Sequence, residues 1–547
     1  MYHLNSSDFN ILLCYSDFYG NDEGKPDIME VIPRLNMHKA ISIICELIAY
    51  RSKTLDVRVF NSLISVPLEL GLKINLLELS EDEYSTDRRC KKNTHILSLQ
   101  MLLNLLKFVI AYGDSSTLNE RDYEITLSDY KTIIDLQMVV TESYDHFYEN
   151  MSEDEKAYFI YANYHINYDR CVANSIIRNY YMFEKLAVSA ENFDDDVKKE
   201  WRDYPSDFLK EYAFTILDYI SVMFYELITY YNDVQGLFCS SFWRSVDKIY
   251  GNTKIHEISK KILNRVSASP GEIKDWATAR LESPWDFSFF YSKPFIKCGN
   301  EHIAVSDLTS QNCFSENIYW LIRDCYPKKD SRCMSFYGRL HEKYIQALTC
   351  DAVKKNQRIK YIPEFSCKSG NKSSDAYIQI DDNLIIVECK GFSVLLDTII
   401  KGEKIDKNNE KLFINPILQA DERFFEIVND DDKFKDINQT YIISVTMDNV
   451  NAVPQYYNEI YKEIEYKKKS HLTKYVFNFN VEEYERLMYY IENNADVVSI
   501  LKEYYDTEKL LPFTSYLSKK YPDASDAKTT FMENLYTELT ERLREKF

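Results

Sequence analysis

The chain has no CxxC pair, no HExxH or HxH, no GxxxxGK[ST] loop and no GxGxxG. The first two absences argue against a zinc ribbon and a His-ligated metalloprotease, and the other two against an internal NTP or dinucleotide site. Any energy-dependent action would need a partner. Long apolar runs are also missing: HILSLQMLLNLLKFVIAY (95–112) carries Gln100, Asn104 and Lys107, so it reads as a buried amphipathic helix and not a membrane span. The N-terminal MYHLNSSDFN lacks the basic and apolar regions of a signal peptide, and the 12 cysteines are scattered. A cytoplasmic protein with no membrane partner is expected. Glycine is scarce at 12 residues, no fixed repeat period appears, and no low-complexity linker separates domains.

What is present begins with charge. The net charge of −20 argues against a nucleic-acid partner, because phosphate binding leaves a basic footprint. Counted locally, residues 331–480 hold 22 Lys+Arg and 22 Asp+Glu, so the excess acid lies elsewhere. Lys354, Lys355, Arg358 and Lys360 cluster within that neutral window, and Lys467, Lys468 and Lys469 follow. The first three of these are the candidate phosphate contacts, against the plainer reading of both runs as solvated faces. The 44 tyrosines invite a reading as base-stacking platforms, but a compositional bias spread over the whole chain is the better explanation.

At 547 residues the chain should hold two to four domains. Residues 1–290 read as an acidic, mainly helical region, with helices expected near 36–50, 95–112, 128–150, 153–192 and 205–233 and an early strand in FNILLCYS (9–16). Residues 291–330 read as a connecting hairpin around Gly299 and Asn300 followed by a helix. Residues 331–547 read as a mixed α/β domain followed by C-terminal helices. Its expected order is a helix at 335–353, a Pro363-interrupted edge strand at 358–368, a hairpin at 375–391, a helix from Pro416, strands at 441–447 and 474–479, and a further helix.

The hairpin DAYIQIDDNLIIVECKG (375–391) carries the chemistry. Leu384 to Val387 form an apolar run that ends in Glu388, Cys389 and Lys390, and a charge at the end of a core strand is costly unless compensated. A turn at Asp381, Asp382 and Asn383 places Asp375 opposite one of residues 388 to 390. Strand alternation puts Glu388 and Lys390 on one face and Cys389 on the other. Two carboxylates and an ammonium at one sheet edge suit phosphodiester hydrolysis, with the carboxylates binding Mg²⁺ or Mn²⁺ and Lys390 orienting water or stabilising the transition state. The competing reading is a salt bridge at a strand end. Glu-x-Lys alone is weak evidence, since it recurs at Glu23/Lys25, Glu272/Lys274 and Glu465/Lys467.

With Asp375 followed by Glu388-Cys389-Lys390, and Glu342 on the preceding helix YGRLHEKYI, residues 331–490 resemble the PD-(D/E)xK nuclease superfamily and its restriction-endonuclease-like mixed sheet flanked by helices. The resemblance implies that Asp375, Glu388 and the Cys389 carbonyl are metal ligands, that Lys390 is the catalytic lysine, and that Glu342 is an auxiliary ligand. An exposed helix Glu beside Lys343 is the alternative for Glu342. Gln419 sits where some branches place a phosphate or metal-water contact, but Arg423 and Phe424 replace the Tyr expected one turn later, and Ser374 replaces the motif Pro. His341 is expected on the helix surface. The resemblance implies a divalent-metal-dependent nuclease, acting on DNA more readily than RNA, in host defence against phage or plasmid DNA, with a homodimer or protein partner open. The alternative is a catalytically silent nuclease fold that binds nucleic acid or acts as a scaffold, its helical half mediating protein interactions.

Overall fold

The structure, a computed structural model, describes residues 11–19, 24–52, 94–95, 97–144, 171–233, 242–368, 370–391, 394–428, 432–447, 454–507, 512–524 and 527–547. The chain forms two compact units: Met1–Ser152 with Asp218–Ile318 and Lys546–Phe547, and Glu153–Leu217 with Tyr319–Glu545. This division differs from the ranges expected at 290 and 330. The segment Glu153–Leu217 groups with the C-terminal unit, and the hairpin expected to connect domains is instead part of a sheet in the first.

In the first unit, helices Met37–Ser52, Leu99–Tyr112 and Leu127–Ser143 pack together through Ile41, Ile44 and Ile48 and through Leu102, Leu106 and Ile110, all buried. The polar residues of the second helix explain why so apolar a segment stays in register. Gln100 and Asn104 donate to the carbonyl of Pro284 at 3.1 and 3.0 Å, and Lys107 donates to that of Ser283 at 2.7 Å. Spaced along one face, they satisfy backbone acceptors of a chain segment that forms no ladder there. That helix begins at Leu99, later than expected, after the two-residue strand Thr94–His95. Its parallel partner Ile11–Leu12 is all that forms of the early strand among the described residues, because the chain turns helical at Tyr15–Tyr19. The hairpin Phe295–Cys298 and Glu301–Ala304 turns through Gly299 at φ +61°, and lies centrally in a four-stranded mixed sheet with Arg244–Ser245 and Ser267–Ala268 at its edges.

The helix expected at 205–233 is two helices, Tyr204–Tyr212 and Ile216–Asp233, because Ala213 adopts the left-handed conformation at φ 57° and closes the first. Residues 145–170 of the helices expected at 128–150 and 153–192 lie outside the described residues, as do residues 9 and 10 of the expected strand.

The second unit is built on a five-stranded sheet. Helix α1 (Ser331–Lys354) precedes β1 (Ile359–Pro363), β2 (Ala376–Ile380) and β3 (Asn383–Lys390); α2 (Asn415–Ile427), β4 (Gln439–Thr446), α3 (Pro454–Lys467), β5 (Thr473–Asn480) and α4 (Val481–Glu492) follow. The spatial order is β5-β4-β3-β2-β1, antiparallel between β1, β2 and β3 and parallel between β3, β4 and β5. Pro363 thus lies on an edge strand, where its missing N–H costs no ladder bond. Helix α3 is an addition to the expected order, although two parallel strands require a crossover of this kind.

Alternation divides the core. Tyr377, Leu384, Ile386, Ile442 and Val476 pack with Ile417, Ala420 and Phe424 of α2 and Ile460 and Ile464 of α3. Helix α1 packs on α4 and against β1, β2 and β3, burying Leu340, Tyr344 and Leu348. At roughly 1.5–3 kcal/mol for each large apolar side chain removed from water, these faces fix the strand register, since a one-residue slip would expose them.

Candidate metal centre at the strand end

The β2–β3 turn has two residues: Ile380 pairs with Asn383 and Ala376 with Val387, and Asp381 adopts φ 52°. Continuing that register one step sets Asp375 opposite Glu388. The Asp375 carboxylate accepts from the Cys389 amide at 2.6 Å, and its own carbonyl accepts from Gln346 of α1 at 3.2 Å. Both motif acids are out of water, Asp375 at 8% exposure and Glu388 at 2%.

Asp375 meets two further acids. Glu342 of α1, Glu364 just beyond β1, and Asp375 bring carboxylate oxygens within 4.8 Å of one another. Burial first, then the charges of Glu388 and Glu342, hold the Asp375 carboxyl well above the usual carboxylate range. Glu364 is raised for the same reasons, burial first and then Glu342. Their cations lie beside them: Arg339 bonds Glu342 at 2.9 Å, and Lys372 meets Glu364 at 3.3 Å.

Glu388 is engaged differently. Lys390 Nζ donates to its Oε1 at 2.9 Å, and Arg423 of α2 approaches its two oxygens at 3.2 and 3.1 Å. Lys390 also donates to Gln419 Oε1 at 3.0 Å. Glu388 and Lys390 therefore share the α2 side, as alternation requires, and Gln419 and Arg423, one turn apart, grip them. The acid group of three contains Glu364 in the place expected for Glu388.

The basic cluster stays away from this end. Lys354 lies about 18 Å along α1 from Glu342 at ~1.5 Å per residue, and Arg358 precedes the opposite end of β1 from Glu364. Lys355 is paired with Asp351 at 2.9 Å and Glu492 at 3.0 Å. Lys467 and Lys468 likewise bond Glu463 and Glu465, and Lys469 bonds Glu422. His341 is fully buried, not on the surface, and burial pushes its imidazole down to about 4.

Glu364, Gln346 and Arg423 join the site beyond the residues expected of it. Their signals in the sequence are slight: an acid directly after the proline of an edge strand, an amide one turn past Glu342, and an Arg one turn past Gln419.

The acid group fits a hard divalent cation, because like charges gathered in a largely buried position are the arrangement a cation relieves. No family model matches the chain, and neither does any curated protein or solved structure. Among the described residues, no helix is long and apolar enough to cross a membrane.

Proposed function

We propose that the second unit is a divalent-metal-dependent phosphodiesterase of the PD-(D/E)xK kind, with a restriction-endonuclease-like sheet, acting on nucleic acid. The observation that carries this reading is Asp375, with Glu342 and Glu364 within 4.8 Å, set across the hairpin from Glu388, which together with Gln419 anchors Lys390. Asp375, Glu342 and Glu364 would hold Mg²⁺ or Mn²⁺, with Glu388 and the Cys389 carbonyl adjacent. A bound cation of that kind lowers the pKa of water and stabilises charge on phosphoryl oxygens. Lys390, fixed by Glu388 and Gln419, presents an ammonium whose remaining N–H is available to a phosphate oxygen or the attacking water. DNA as substrate, and a role in host defence, rest on the family resemblance alone.

The test is cleavage of plasmid, linear duplex, single-stranded DNA and RNA by the full chain, with Mg²⁺, Mn²⁺ or EDTA. Metal-dependent cutting by the natural protein, absent in Lys390→Ala, is expected; an active Lys390→Ala protein sinks the assignment.

A second reading has its own observation. Arg423 and Lys390 together occupy the oxygens of Glu388, which favours a fold that binds nucleic acid without cutting it. That reading predicts retention of nucleic acid in EDTA and no cleavage of any substrate with either metal.

A further inference from the structure

The first unit contains a cleft of about 800 Å³ whose lining does not match the acidic chain around it. Arg121, Arg244 and Lys248 line it against one carboxylate, Glu301. Tyr123, Tyr225 and Trp243 supply aromatic surface to the same cleft. None of these belongs to the acid group of the second unit.

Each part of the wall is held in place. His38 stacks on Trp243 with ring centroids 4.3 Å apart and planes 16° from parallel, which covers one face of the indole and holds the ring, 9% exposed, rigidly at the cleft wall. Trp243 Nε1 donates to Ser42 Oγ at 2.6 Å, and Ser42 also meets the Tyr123 hydroxyl at 3.1 Å, so both rings are fixed through one residue of helix Met37–Ser52. Tyr123 is tied again at 2.6 Å to His38 Nδ1. Flat, rigid aromatic surface loses little entropy when a ring is placed on it.

The cations are compensated to different degrees. Arg244, 8% exposed, is neutralised by the buried Glu226 at 3.3 Å. Arg121 gives one nitrogen to Glu301 at 2.7 Å and another to the Cys298 carbonyl at 3.0 Å. Lys248 is exposed and has no partner among the described residues. The hydroxyl of Ser245, one turn before it on the same wall, caps no helix N–H although it occupies the cap position. An ammonium without a partner among the described residues, a shared guanidinium, a hydroxyl that makes no cap bond and fixed aromatic rings therefore line one cavity.

We propose that this cleft binds a mononucleotide: the base against the Trp243 and Tyr123 surface, the phosphate at Lys248 and Arg121, and the sugar hydroxyls near Ser245. The size is right, since pockets for ligands of this class run to about 300–1,000 Å³. A planar ring joined to an anion uses both halves of the wall, whereas inorganic phosphate uses only the cations and a nucleoside only the rings. The proposal is independent of cleavage by the second unit.

The test is calorimetric titration of the full chain, in EDTA, with AMP, GMP, CMP and UMP, their nucleosides, and inorganic phosphate, on the natural protein, Lys248→Glu and Arg121→Gln. Saturable binding of at least one mononucleotide is expected, at least tenfold tighter than its nucleoside or phosphate, and weakened tenfold or more by Lys248→Glu. Lys248 is exposed and has no partner among the described residues, so that variant should melt at the natural temperature, and Arg121→Gln provides a second reading of the same contact. The idea is overturned by no saturable binding at millimolar concentration, by binding that both variants leave unchanged, or by phosphate alone binding as tightly as the nucleotide.

Discussion

Two buried carboxylate groups in the second unit are treated in opposite ways. Glu485, 3% exposed, accepts from Arg178 at 2.7 Å, Tyr344 at 2.6 Å and Asn174 at 2.9 Å, and Arg178 is itself almost wholly buried. The Glu485 carboxylate thus has three donors beside it, and the network joins Val172–Asn179 to α1 and α4. Asp375 is buried to a similar degree, yet its nearest charged neighbours include other acids. The first unit repeats the compensated pattern at Glu226, which meets Arg244, His302 and Tyr250. Glu485 and Glu226 are surrounded by donors, whereas Asp375 is gathered with other carboxylates, and this contrast is the one on which the proposed metal site rests.

The contrast is sharpest if activity and stability part company at the two sites. Asp375→Asn should lower cleavage by about a thousandfold, the scale for losing a group that acts in the transition state, while leaving the unfolding midpoint equal or higher because it removes repulsion. A midpoint that falls sharply would show Asp375 to be a structural acid like Glu485. Arg178→Ala should do the reverse, costing about 3–5 kcal/mol by stranding Glu485 without its cation, read from denaturant unfolding. A loss below about 1 kcal/mol would erase the distinction between the two sites.

Acid should find a different weak point. His341 is wholly buried and held at about 4 by that burial, against an unfolded value near 6.5. The unfolded chain binds the extra proton first, so the stability contributed is complete above 6.5 and is lost as pH falls toward 4, by at most about 3 kcal/mol. His341→Leu should flatten this part of the stability-against-pH curve; an unchanged slope assigns the acid lability to other groups.

Smaller effects bear on which residues belong to the site. Gln419→Ala removes one of the two anchors of Lys390 and should cost about tenfold in cleavage with little change in stability. The double change Lys354→Ala with Lys355→Ala should leave cleavage untouched and cost under about 1 kcal/mol through the surface pairs with Asp351 and Glu492. A tenfold loss of cleavage there would bring the basic cluster back into contact with substrate.

Much of the second unit's sheet follows from local pattern. Apolar alternation locates β1 to β5, the proline puts β1 on an edge, and a tight turn after Ile380 sets Asp375 against the end of β3, because hairpin register is a local property of a few residues. The hairpin around Gly299 is legible for the same reason. Helix α3 is not, since its polar face outweighs its apolar one in the sequence although Ile460 and Ile464 seal the core. Packing alone brings Glu364 and Glu342 to Asp375, sets Arg423 against Glu388, and gives a mainly helical first unit a cleft of cations and rings. Each of these joins side chains from elements far apart in sequence, and such meetings depend on how sheets and helices pack, a quantity that no local periodicity encodes.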